Sequence, residues 1–123
     1  MGTLSTHVLD TSRGRPAAGV GVQLFRMSSS EMSAPERSSP EPSSPVPLGE
    51  GVTNADGRVP AIGPERLEPG DYRLRFDTAG YFAATGTGGF YPEVVVAFTI
   101  AEGEHYHVPL LLNPFGYSTY RGS

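Results

Sequence analysis

Cysteine is absent from the 123 residues. That excludes a disulfide scaffold and thiol chemistry, and leaves any metal to the three histidines and the carboxylates. Cations are scarce as well. Nine Lys and Arg against thirteen Asp and Glu give a net charge of −4. A phosphate-binding surface needs clustered positive charge, so no nucleic-acid partner is expected. No stretch approaches the roughly 20 apolar residues of a membrane span, and no membrane partner is expected. The opening MGTLSTHVLD lacks an apolar run with a basic flank, so no export signal is read and a soluble, cytoplasmic protein is expected. The length suits one hydrophobic core rather than two, hence a single domain over residues 1–123.

What is present is mostly period two. LSTHVLD, residues 4–10, reads as a strand with Leu4, Thr6 and Val8 on one face and Ser5, His7 and Leu9 on the other. TSRGRP, residues 11–16, reads as a turn, and residues 20–27 resume alternation with Val20, Val22 and Leu24 on one side. Residues 28–47 then hold eight Ser and five Pro in twenty positions. Such a segment buries too little apolar area to offset its ordering entropy, so it is read as a long mobile loop. A tolerated loop expansion is the plainer explanation of it, a regulatory insertion the sharper one.

Asn54-Ala55-Asp56-Gly57 reads as a hairpin turn between residues 47–53 and 58–62. Arg58 starts the second of these strands, and on sequence alone two readings stay open: a solvated charge, the plainer one, and a functional guanidinium projecting from the strand's start. Residues 72–76 (YRLRF) alternate with Tyr72, Leu74 and Phe76 inward. Residues 78–85 are the one helical stretch, capped by Asp77 or Thr78 and stopped at Gly86. Residues 92–100 are nearly unbroken in β-branched and apolar side chains, which suits a strand covered on both faces. Seven or eight short strands with regular turns predict an all-β sandwich carrying one short helix.

The closing stretch HYHVPLLLNPFGYSTYRGS, residues 105–123, carries the chemistry. His105 and His107 lie two apart on one strand and so share a face, roughly 6 to 7 Å from each other. Tyr106, Val108, Leu110 and Leu112 make the opposite, apolar face, which is the one to bury. The histidine face is left for solvent, a ligand or another subunit. The residues alone leave three readings open: ligands of a catalytic zinc, a structural or interface set, and metal-free acid–base chemistry.

Five segments, LSTHVLDTSRGRPAAGVGVQLF, NADGR, DYRLRFDTAGYF, FYPEVVVAF and the closing nineteen residues, resemble the transthyretin-related proteins. The resemblance covers the chain outside residues 28–47. Its most specific part is Tyr120-Arg121-Gly122-Ser123, which marks the 5-hydroxyisourate-hydrolysing members off from the hormone carriers. His7 is a second mark, since the carriers hold a lysine there. The resemblance implies a transthyretin-like β-sandwich of two four-stranded sheets, dimerised edge to edge, with two dimers forming a homotetramer around a channel. It implies a small-molecule substrate, 5-hydroxyisourate, opened by water without metal or other cofactor. It assigns His7, Arg58, His107 and Ser123 to catalysis. His7, Arg58, Tyr120, Arg121 and Gly122 are assigned to substrate binding, with His105 in support. The rival reading within the same fold is a carrier that holds a small aromatic ligand in the channel. The strand faces fit assembly in either case, because Leu9 and Leu111 fall on the histidine side and would leave a greasy patch on a monomer.

Overall fold

Alternating side chains make sheets with one apolar face, and two such faces must cover each other. The computed structural model describes residues 3–27, 45–101 and 105–122. The expectations for residues 28–44 and for Ser123 lie outside the described residues. Along the chain run β1 (Leu4–Asp10), β2 (Arg15–Pro16), β3 (Gly21–Arg26), β4 (Val46–Val52), β5 (Arg58–Val59), β6 (Gly70–Phe76), α1 (Thr78–Ala84), β7 (Val94–Ile100), β8 (Tyr106–Asn113) and β9 (Gly116–Thr119).

One sheet has the order β2-β1-β8-β9 and the other the order β4-β3-β6-β7. The two-residue strands β2 and β5 both pair with β1, at Leu9–Asp10 and Thr6–His7 respectively. They share one position beside it, so the first sheet is also four strands wide. Strand β1 lies parallel to β8 over its whole length, from Leu4 opposite Tyr106 to Asp10 opposite Leu112. Leu4 and Val8 from β1, Tyr106, Val108, Leu110 and Leu112 from β8, Val22 and Leu24 from β3, and Tyr72, Leu74 and Phe76 from β6 fill the core. The apolar faces read from the sequence are therefore the buried ones.

Several boundaries differ from the sequence expectation. Val46, read as part of the long loop, begins β4, one residue before the strand read over residues 47–53. Pro47 is tolerated because β4 is an edge strand and the ladder with β3 slips between Leu24 and Phe25. Arg15 and Pro16, read as turn, pair with β1. The strand begun at Arg58 stops at Val59, where Pro60 withdraws a backbone donor. The polar residues Gly116–Thr119 form a strand because β8 offers them a partner ladder. Strand β7 is not covered on both faces: it is the edge of its sheet, and Val95 on its outer face is 43% exposed. Helix α1 matches its reading. The Asp77 side chain accepts from the Gly80 N–H at 3.1 Å, and Gly86 follows the last turn at φ 69°.

Candidate active site

The side of the first sheet facing away from the core gathers the residues singled out above. His7 of β1 stands opposite Arg58 of β5 on one flank and Pro109 of β8 on the other. Ser5, two residues before His7 and on the same face, stands opposite His107. The His7 and His107 rings lie 6.5 Å apart between centroids, tilted by 39°.

Each member is held by local chemistry. Arg58 owes its place to the turn before it. The Asn54 side-chain carbonyl accepts from the backbone N–H groups of Asp56, at 2.9 Å, and Arg58, at 3.0 Å. Gly57 closes that turn at φ 74°, and its carbonyl takes the Val8 N–H at 2.7 Å. A Cβ there would meet the Val8 carbonyl oxygen at 2.4 Å, so position 57 excludes every side chain. His7 Nε2 lies 2.9 Å from the Asp56 main-chain carbonyl. A carbonyl only accepts, so Nε2 carries a proton and neutral His7 keeps its lone pair on Nδ1.

His107 is fixed from two sides. Its Nδ1 lies 2.8 Å from the Ser5 hydroxyl, whose oxygen is also 3.0 Å from His105 Nε2. His105 Nδ1 in turn lies 2.5 Å from the Thr3 hydroxyl. On the far side Gly122 donates its N–H to the His107 carbonyl at 2.7 Å. A Cβ on Gly122 would come within 2.6 Å of His107 Cδ2, so the tail closes on the ring with no room for a side chain. Burial first, then the positive charge of Arg58, then the imidazoles of His7 and His105 hold the His107 pKa below its usual 6.5. His107 is thus kept neutral, with a lone pair to offer near pH 7. Among the described residues no group of three or more His, Cys, Asp or Glu is placed to hold a metal ion.

The structure therefore brings together His7, Arg58, His105, His107 and Gly122. It sets Tyr120 and Arg121 apart from them. The Arg121 guanidinium lies over the Tyr106 ring at 4.6 Å, and Tyr106 belongs to the core-facing side of β8. Both residues line a cleft of about 280 Å³ with Phe98 and Thr119, between the β7 and β9 edges. Sequence reasoning missed Thr3, Ser5 and the Asp56 carbonyl as partners of the histidines. For Ser5 there was a signal, since it shares its strand face with His7. For the other two there was none, because the contacts depend on pairings made far along the chain.

Comparison with known proteins bears on the chain as a whole. A relative from Schizosaccharomyces pombe, a "probable 5-hydroxyisourate hydrolase", is 44% identical over 122 residues, covering 98% of this chain and 90% of that protein. The solved 5-hydroxyisourate hydrolase of Klebsiella pneumoniae superposes with a TM-score of 0.78 at 39% identity, covering 98% of this chain and 99% of that one. Sea bream transthyretin in complex with thyroxine superposes with a TM-score of 0.80, but at 29% identity, covering 97% and 93%. Backbone shape does not separate enzyme from carrier, whereas residue identity favours the enzymes. Residues 4–122 match the model described as HIUase/Transthyretin family, and the chain belongs to that family.

Proposed function

We propose that the protein is a metal-independent hydrolase that opens the six-membered ring of 5-hydroxyisourate with water. The product is 2-oxo-4-hydroxy-4-carboxy-5-ureidoimidazoline, in the breakdown of urate. The observation that carries the reading is the pairing of His7 with Arg58 beside His107 on a sheet face that the core does not use. Solved and curated relatives that match over nearly the whole chain bear the name of this hydrolase.

The reaction adds water to an amide-like carbonyl and expels a ring nitrogen. It needs a base for the water, a stabiliser for the developing oxyanion and an acid for the leaving nitrogen. Neutral His107 serves as the base: as the water oxygen bonds to the carbonyl carbon, one water proton passes to the imidazole. His7, whose Nε2–H is committed to the Asp56 carbonyl, offers Nδ1 as a second acceptor that orients the same water. Arg58 presents a planar fork of donors to the imide-like edge of the substrate and to the oxyanion. The imidazolium returns its proton to the departing nitrogen, which leaves the ring open and the enzyme unchanged. Ser123 is assigned to orienting a histidine, and Tyr120 and Arg121 to substrate contact, on the family resemblance alone. The working assembly is a homotetramer of two edge-to-edge dimers, whose channel takes in the histidine face.

The test is direct. Adding the protein to freshly generated 5-hydroxyisourate should make its ultraviolet absorbance decay faster than it does spontaneously. EDTA should leave that rate unchanged, and His7→Ala should lower it by about 10²-fold, because the attacking water loses its orientation. Decay at the spontaneous rate with the wild-type protein would reject the hydrolase. A ligand bound and recovered intact would instead point to a carrier, the rival reading within the same fold.

A further inference from the structure

Ser5 sits where two imidazoles meet, and the hydrolytic reading above assigns it no part. It is 9% exposed, and its hydroxyl oxygen is 2.8 Å from His107 Nδ1 and 3.0 Å from His105 Nε2. A hydroxyl has one proton to donate, so Ser5 gives to one ring and accepts from the other. Two arrangements satisfy every partner when both rings are neutral. In the first, Thr3 donates to His105 Nδ1, His105 Nε2–H donates to Ser5, and Ser5 donates to His107 Nδ1. His107 then carries its proton on Nε2. In the second, every bond runs the opposite way: His107 Nδ1–H donates to Ser5, Ser5 donates to His105 Nε2, and His105 Nδ1–H donates to Thr3. His107 Nε2 is then the bare nitrogen.

Only the second arrangement survives protonation of His107. An imidazolium has a proton on each nitrogen and cannot accept from Ser5, so the first arrangement must break as the base does its work. We infer that Ser5 is a positioning residue for the hydrolysis. Its hydroxyl accepts from His107 Nδ1–H and donates to His105 Nε2, which makes Nε2 the basic nitrogen of His107 and joins both rings and Thr3 into one hydrogen-bonded unit. The inference rests on His107 being the base. It explains why His105, exposed at the edge of the site, belongs to it at all: His105 holds the serine, and the serine holds the catalytic ring. The ring is clamped on its other side by the Gly122 main chain, so loss of the Ser5 bond frees a tautomer rather than a rotamer.

With three histidines in the chain, their ring nitrogens can be assigned individually in two-bond proton–nitrogen correlation spectra of the intact protein. At neutral pH the wild type should show His107 protonated on Nδ1, and Ser5→Ala should show a mixture of tautomers. With 5-hydroxyisourate, Ser5→Ala should lower kcat at least about tenfold with KM within about threefold, a fraction of what a general base contributes. Ser5→Thr, which restores the hydroxyl, should recover most of that loss. The inference is overturned if wild-type His107 is protonated on Nε2, if Ser5→Ala keeps kcat within twofold, or if Ser5→Thr falls as far as Ser5→Ala. Should Ser5→Ala fail to fold, the wild-type spectrum decides alone. An inactive wild type would reject the hydrolase reading, while the tautomer of His107 would still decide the role of Ser5.

Discussion

At the scale of single residues, the site is a set of side chains that set one another's charge. The His107 pKa lies below 6.5, chiefly through burial and next through the Arg58 guanidinium. The neutral, basic form therefore persists below pH 6.5, and the acid limb of kcat/KM should fall below that value. Arg58→Gln removes a positive charge that opposes protonation, so the limb should move up toward 6.5. Turnover should drop by about 10²-fold to 10³-fold as an oxyanion donor is lost. A limb that stays put or moves down would mean that Arg58 does not face the base. The same shift has a consequence for stability. The unfolded chain takes up a proton at about 6.5 and the native chain only at lower pH, so the His107 contribution is present above pH 6.5 and fades as the pH falls below it. Gly122 makes a separate prediction. A methyl group there would overlap His107 Cδ2, and a displacement of order 1 Å costs about 10²-fold in rate. Gly122→Ala should thus lower kcat strongly, while a thermal melt moves little because Gly122 itself packs outside the core. A wild-type rate would disprove the close approach.

At the scale of elements, what decides the site is which strands pair, and here local and distant information part company. Strand β1 was legible to the residue and α1 to within one residue at its end, because period-two alternation, an Asp N-cap and a following Gly act over a few residues. The parallel pairing of β1 with β8 joins positions about a hundred residues apart, and no local pattern encodes its register. That register alone sets Ser5 against His107, which is why the serine went unread while the histidines did not. The edge position of β7 was illegible for the same reason: a β-branched run looks alike whether a neighbouring subunit or only solvent covers it. One long-range link can be tested at this scale. The Tyr81 hydroxyl of α1 donates to the Asp10 carboxylate at 2.7 Å, and the same carboxylate accepts from the Ser12 hydroxyl and from the Ser12 and Arg13 backbone. Asp10 is 2% exposed; its burial raises the carboxyl pKa, but these bonds prevail and hold it below its usual value. Tyr81→Phe should therefore cost about 1.5 to 3 kcal/mol in denaturant unfolding, the range for hydrogen bonds to charged groups. Because α1 lies away from the histidine face, kcat should stay within twofold. A large loss of turnover at unchanged stability would reverse the assignment.

At the scale of the whole molecule, the two sides of the sandwich are built differently, and the difference indicates how copies assemble. On one side the edges are blunted: β2 and β5 are two residues long, and β4 carries Pro47 and a slipped ladder. On the other side β7 and β9 end their sheets beside a shared cleft, and the seven residues of β7 hold no proline. Phe90, Tyr91 and Tyr117 stack edge to face there and remain exposed. Open, apolar-flanked edges pair with a second chain unless something prevents it, so dimers should form through β7 and β9. Hydrogen exchange at micromolar concentration should find the outward amides of β7 protected and those of β4 exchanging freely. A second interface should then use the other feature left over, the histidine face, where Leu9 and Leu111 are cross-strand partners and only half buried. Sedimentation of the wild type should give four times the chain mass of 13.0 kDa. Leu111→Glu places a charge on the face between dimers and spares the edges, so it should halve that mass while β7 stays protected. If the proposed channel encloses His7, Arg58 and His107, turnover should fall with it, because the site would open to water. A Leu111→Glu protein that remains tetrameric would remove the histidine face from the interface, and the site would have to work on the surface of each chain.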